Sequence, residues 1–365
     1  MPEEQSPVLT ASVHDLRYIA TILRGINFHN RATVTVTKQG LTVKVEEART
    51  ITATAWIFSD IFDEYTYNPD SLPNDVFIQS TQDEDMNSVM FEMPLNTVID
   101  CLNIFGTATS SVGSGGSGGG KRWKKQGEAT DNESGDENEI HPGGNRIEPL
   151  NAGTSEKHTG MRLTYTGAGY PLTLLIAEDA SGPTTTCEIS TYEPESYLDF
   201  GFDNERMVLK IILKSSWLRD ALSELDPSYD KLTFISNPPE MTDNPDTGGQ
   251  RRRRNLTKSI LRIKAGGNFG TTEMDYPNDK EVLESFECTR SVSFSYRFSH
   301  IAKTLRAVSS STKTSLRIDD DGLLSLQFMM PSPKARGTDG GDSSAFIDFQ
   351  VMYSSSPSMI FSPLI

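Results

Sequence analysis

The chain has 365 residues, 36% of them hydrophobic, with 34 Lys and Arg against 50 Asp and Glu and a formal net charge of −16. That length supports two domains with sizeable cores, and no apolar run approaches the ~20 residues that would cross a bilayer. The start MPEEQSPVLT lacks the basic and apolar regions of a secretory signal, and Cys101, Cys187 and Cys288 lie far apart without CxxC spacing. These features predict an intracellular protein with reduced thiols and no zinc site.

Residues 7–12 read as a strand. Residues 13–26 read as an amphipathic helix with Leu16, Ile19, Ala20 and Leu23 on one face, Ser12 as N-cap and Asp15 three residues on. Residues 31–45 alternate apolar and polar around Gln39-Gly40, the pattern of a β-hairpin. A strand at 89–92 and a helix at 95–105 follow. The same order then returns: strand at 208–213, helix at 216–225, strands at 231–235 and 259–265, and a late helix at 299–309. Two similar halves, each with two short helices among many strands, predict a repeated α+β architecture.

Residues 106–158 begin GTATSSVGSGGSGGG, continue KRWKK and pass through DNESGDENE. A stretch of roughly fifty residues without periodicity exceeds an ordinary loop, so it reads as a disordered insertion in the first domain. Residues 237–255 and 332–344 read as flexible loops of the second. Removing all three leaves about 140 residues per half, an ordinary domain size. The expected division is 1–190 and 203–365, joined by a connector at 191–202.

The total charge argues against nucleic acid, but local patches set the field that a ligand meets. The first helix carries a polar stripe of His14, Arg17, Thr21 and Arg24. The last carries His300, Lys303 and Arg306 opposite Ile301, Leu305 and Val308, and the third carries Arg219 among serines. The second shows only Asn96, Asp100 and Asn103. Basic residues on one helix commonly serve solubility. Repetition on three helices of an acidic chain points to phosphate contacts, which need only positive side chains at a suitable distance.

Several segments, spread over most of the chain outside the three insertions, carry a resemblance. TILRGINFHNRATVTVTKQGLTVKVEEAR, NTVIDCLNIFG, YTGAGYPLTLLIAED, EPESYLDF, LRDALSELD, MDYPNDKEVLESFEC and DGLLSLQFM closely resemble the Rad-one (Rec-one) subunit of the checkpoint sliding clamp. The resemblance implies an α+β, two-domain fold like the proliferating-cell nuclear antigen, with helices on the inner face and sheets outside. It implies a heterotrimeric ring with two other clamp-fold subunits, loaded by a clamp loader onto double-stranded DNA without sequence preference. It further implies repair and signalling proteins as clients, checkpoint signalling at damage sites and a nuclear location. A homotrimeric replicative clamp is the alternative assembly.

On this fold, Arg17, Arg24, Arg219, Lys303 and Arg306 are the expected DNA-facing residues. Subunits would join through edge strands at Thr184, Thr186 and Glu188 on one side and Thr271, Glu273 and Asp275 on the other. A client-peptide groove beneath the connector would use Ile51, Met352 and Tyr353.

Members of this family have been described as 3′–5′ exonucleases, which makes an enzyme the competing reading. A metal-dependent nuclease needs converging carboxylates. Asp83-Glu84-Asp85 lies in a polar loop before a strand, and Asp319-Asp320-Asp321 precedes Gly322 in a hairpin turn, so turn chemistry explains both. The five histidines show no metal-ligand spacing, and AGGNFG at 265–270 lacks the Lys-Ser/Thr of a phosphate loop. The expectation is a non-enzymatic subunit without catalytic residue, metal or cofactor. Arg251–Arg254 and the KRWKK run at 121–125 are candidate import signals or accessory phosphate contacts.

Overall fold

A computed structural model describes residues 6–69, 88–105, 158–178, 182–196, 199–238, 259–331 and 344–354. Almost all of the 106–158 and 332–344 insertions, most of 237–255, Asp83-Glu84-Asp85 and both basic clusters lie outside these residues.

The described strands form three antiparallel sheets. The first runs β5 (Glu64–Tyr67), β1 (Leu9–Val13), β7 (Gly160–Tyr165), β8 (Leu172–Ala177) and β9 (Thr184–Ile189). The second runs β14 (Leu283–Cys288), β10 (Met207–Lys214), β16 (Lys313–Asp319), β17 (Leu324–Met329), β18 (Phe346–Val351), β4 (Ile51–Phe58), β3 (Gly40–Glu47), β2 (Arg31–Thr37) and β6 (Val89–Pro94). The third runs β13 (Gly270–Pro277), β12 (Ser259–Gly267), β11 (Lys231–Ser236) and β15 (Val292–Arg297). The helices are α1 (Arg17–Gly25), α2 (Leu95–Leu102), α3 (Ser215–Ser223), and the short pair α4 (Phe298–Ala302) and α5 (Leu305–Ser310). In sequence, each half reads strand, helix, five strands, helical segment, three strands, which is the repeat that the sequence pattern predicts.

Period-2 burial sets the strands. In β2, Ala32, Val34 and Val36 point inward while Thr33 and Thr35 are half-exposed. The β2–β3 hairpin turns at Gly40, whose φ is +140°; a Cβ there would sit 2.2 Å from the Ile57 carbonyl oxygen. Only glycine fits that corner. β4 and β18 pair from Ile51–Val351 to Trp56–Phe346, so strands of both halves share one continuous sheet.

The helices lie side by side in the order α2, α1, α5, α3. α1 bridges the halves. A Cβ on Gly25 would lie 3.0 Å from Ile347 Cδ1 and 3.5 Å from the Ala307 backbone, and the Tyr18 hydroxyl accepts the Ala345 amide at 3.0 Å. Burial pushes the Tyr18 phenol up to about 12, so it stays protonated.

Two helix expectations are corrected. α1 begins at Arg17, not Val13, because β1 takes Val13 into its ladder and Ser12 donates to Glu64 at 3.4 Å instead of capping. The last helix is two pieces. Around Lys303 and Thr304 the backbone bonds shorten to i−3, and the Thr304 hydroxyl donates to the Ile301 carbonyl at 2.7 Å.

Candidate nucleic-acid and partner interfaces

On the helix layer, Arg306 is exposed on α5 and Arg24 half-buried on α1. Burial lowers the Arg24 pKa and the nearby Arg306 guanidinium lowers it further, and the helices that carry them, α1 and α5, pack against each other. Two adjacent guanidiniums make a local positive spot suited to phosphate oxygens. Arg219 on α3 is half-exposed and holds the Asp220 carboxylate at 2.7 Å.

Two other expected DNA-facing residues are committed elsewhere. Arg17 is only 9% exposed and grips Asp15 as a fork, Nε to Oδ2 at 2.9 Å and Nη2 to Oδ2 at 2.7 Å, with His158 Nδ1 3.1 Å away. Because α1 starts at Arg17, this residue sits at the helix entrance, not on a mid-helix polar stripe. Lys303 ion-pairs with Glu47 and stands 5.4 Å from the Phe28 ring centroid, tying the second half to the first. His300 also departs from the outer stripe. The single turn of α4 rotates it inward to 8% exposure, and burial lowers its pKa, helped by Lys303 and Arg297.

The proposed joining strands lie at sheet edges. β9 ends the first sheet and β13 ends the third. Thr184, Thr186 and Glu188 are exposed along β9, and Thr271, Glu273 and Asp275 along β13. Glu273 and Asp275 are paired within the chain, to Lys264 at 2.8 Å and Arg262 at 2.7 Å. Two other edges are partly covered. Tyr192 exchanges both backbone hydrogen bonds with Glu92 of β6 at 2.9 Å, and the Ser354 amide donates to Ser295 of β15 at 2.7 Å. In AGGNFG, Asn268 and Phe269 form the β12–β13 turn between Gly267 and Gly270, with Phe269 93% exposed at its tip.

The described parts of the connector, 191–196 and 199–202, lie against the nine-stranded sheet. At its start, Arg31 bridges Glu92 at 2.6 Å and Glu195 at 2.7 Å, and the Glu195 amide donates to Glu92 Oε1 at 2.7 Å. Further along, burial lowers the Lys44 pKa on β3, and the nearby Asp199 of the connector partly offsets that. At its end, the Phe202 ring lies 4.8 Å under the Arg317 guanidinium, which also donates to Asn204 at 3.0 Å. Arg317 donates to Ser325 at 2.7 Å, and Ser325 donates to Asp348 at 2.6 Å. Burial raises the Asp348 pKa and lowers that of Arg317, the expected result of taking both charges out of water.

The groove residues separate. Ile51 is fully buried because it faces the helices beside Val351, so it lines no open surface. Met352 and Tyr353 are 45% and 46% exposed beyond the end of β18, with Tyr353 packed on Phe294 at 6.1 Å between ring centroids. The register puts another apolar patch at the opposite end of these strands. Lys44, Thr54 and Asp348 form the row under the connector, and Thr42, Trp56, Phe346 and Met329 form the next row. Phe58 and Phe346 are 37% and 38% exposed and meet edge-on at 6.3 Å. The signal was in the sequence: Trp56, Phe58 and Phe346 occupy the polar phase of their strands.

Among the described residues, no three His, Cys, Asp or Glu side chains stand close enough to share a metal ion. Asp319 accepts the Leu323 amide at 2.8 Å, while Asp320 and Asp321 pair with Arg206 at 2.7 and 3.0 Å. A cavity of about 40 Å³ among Leu9, Ile19, Leu23, Val34 and Phe91 is lined by apolar side chains alone and belongs to the core of the first half.

The model of the family described as Repair protein Rad1/Rec1/Rad17 matches residues 8–330. The chain is 32% identical over 328 residues to the human cell cycle checkpoint protein RAD1, covering 90% of this chain and 88% of that one. It is 28% identical over 416 residues to the DNA repair exonuclease REC1 of Mycosarcoma maydis, covering 88% of each. The solved structure of the proliferating cellular nuclear antigen from Entamoeba histolytica aligns with a TM-score of 0.58 at 10% identity, over 96% of this chain and 100% of that one. That likeness establishes the two-domain sliding-clamp fold. With the family model spanning nearly every described element, the chain belongs to the Rad1/Rec1/Rad17 repair-protein family.

Proposed function

We propose that this chain is a non-enzymatic subunit of a heterotrimeric ring that encircles double-stranded DNA at damage sites in the nucleus and supports checkpoint signalling and repair. Its two clamp domains would be 1–190 and 203–365. The observation that carries this reading is a clamp fold in a chain whose relatives include a cell cycle checkpoint protein, with edge strands β9 and β13 ending two different sheets. β9 would pair with one neighbouring subunit and β13 with the other, backbone to backbone. Arg24, Arg306 and Arg219 would contact phosphates, and the Trp56–Phe58–Phe346 patch beside the connector would anchor an apolar side chain of a client peptide.

Native mass measurement tests the assembly. The expected result is a monomer alone and a one-to-one-to-one complex with two other clamp-fold subunits. That complex, loaded by a clamp loader, stays on nicked circular DNA and slides off once the circle is cut. A stable self-trimer would overturn the heteromeric reading in favour of a replicative homotrimer. The relative named as an exonuclease supports a second reading. Incubation with 3′-labelled DNA and Mg²⁺ or Mn²⁺ addresses it, and release of label by the pure chain would overturn the non-enzymatic assignment.

A further inference from the structure

Two of the three cysteines meet where a helix covers a sheet edge. Cys101 lies in the last turn of α2 and Cys187 in β9, and the two elements pack together. Exposure alternates along β9, so Thr184, Thr186 and Glu188 point outward while Cys187 shares the inward phase with Thr185 and Ile189. Both thiols are free, half-buried and packed against the core, and the Cys101 thiol is within hydrogen-bonding reach of Cys187. Cys288 is apart from them, on β14 in the other half, where its thiol donates to the Arg290 carbonyl at 3.0 Å.

We propose that Cys101 and Cys187 form an oxidisable dithiol that closes to a disulfide between α2 and β9 when the protein meets a hydroperoxide. One thiol, as its thiolate, attacks a peroxide oxygen. The O–O bond breaks, leaving a sulfenic acid and a hydroxide that takes up the released proton as water. The second thiol then attacks the sulfenic sulfur. The S–O bond breaks, a second water leaves and the S–S bond forms. The two sulfurs together lose two electrons, and hydrogen peroxide is reduced to two waters.

Burial, and then the Cys187 thiol and nearby Asp100, push the Cys101 thiol up to about 11, so little thiolate exists there at neutral pH. Attack on the peroxide by Cys101 is therefore slow beside that by the thiolate of a dedicated peroxide sensor. The bridge would fix β9 to α2 along the outermost strand of its sheet. This inference stands on the α2–β9 contact and is independent of the clamp function.

The test uses the full chain. It is treated under native conditions with hydrogen peroxide, then denatured, alkylated, digested and analysed by mass spectrometry, with and without prior dithiothreitol. The expected result is loss of two of the three alkylatable thiols, one linked Cys101–Cys187 peptide pair, reversal by dithiothreitol and Cys288 still alkylated. In Cys187→Ser, Cys101 should remain unlinked. The inference is overturned if the native protein yields no linked pair although the denatured, oxidised chain does, or if Cys288 enters disulfides as often as Cys101.

Discussion

Removing the charges of Arg24 and Arg306 together should change how DNA binding depends on salt. Burial, and then the nearby Arg306 guanidinium, lower the Arg24 pKa, as expected for like charges facing the same space. Each neutralised phosphate contributes about 0.9 to the slope of log affinity against log salt, so losing two contacts should flatten the slope by about 1.8. Between about 50 and 200 mM salt, a fourfold change, that difference amounts to about 12-fold in affinity. The double variant Arg24→Gln, Arg306→Gln would be compared with wild type in the assembled ring, by fluorescence anisotropy on a labelled duplex across that range. Arg17→Gln is the control. Its guanidinium serves Asp15 at 2.7 Å, so it should leave the slope unchanged while lowering stability by about 1.5–3 kcal/mol through loss of a charged hydrogen-bond fork. If the double variant keeps the wild-type slope, or Arg17→Gln flattens it equally, the helix layer does not meet DNA as argued.

Three further outcomes are expected. Phe346→Ser should weaken a client peptide at least 10-fold by titration calorimetry, about 1.4 kcal/mol, whereas Tyr353→Ser should leave its affinity unchanged; the opposite ranking would return the groove to the chain end. Lys303→Ala should cost about 1 kcal/mol in urea unfolding, and a double-mutant cycle with Glu47→Ala should recover that coupling, since the pair is partly shielded at 22% and 34% side-chain exposure. His300 has its pKa lowered from 6.5 in the fold, so the unfolded chain binds the proton more readily and stability falls as pH drops below 6.5 through the lowered value. His300→Gln should therefore lose less melting temperature than wild type between about pH 7.5 and 5.5, and equal losses would remove His300 as a source of acid sensitivity.

Much of this fold was legible because it depends on short-range pattern. Alternation in β2 and β3, the glycine corner at Gly40 and the helical faces of α1 and α3 are all local. The edge position of β9 and β13 followed from fold order. What the pattern could not supply was register across distant strands. Whether Trp56 and Phe346 meet in one patch depends on β4 pairing with β18, nearly three hundred positions away, and a shift of one residue would put them on opposite faces. Arg17 and Lys303 misled for a related reason. Helical spacing gave both a polar side, but Asp15 and Glu47 claimed their charges, and neither partner can be identified by periodicity.

The shared ladder from Ile51–Val351 to Trp56–Phe346 has a mechanical consequence. A hinge at the middle of the chain would have to shear these backbone bonds and pull apart Gly25 and Ile347, where there is no slack for relative sliding. Arg31 and Arg317 fasten the strap over the same seam at both ends. The subunit therefore transmits strain as one stiff segment. In a closed ring of such segments, the compliance needed to admit a duplex would concentrate at the joints between subunits, where one strand's width of hydrogen bonds is all that has to part.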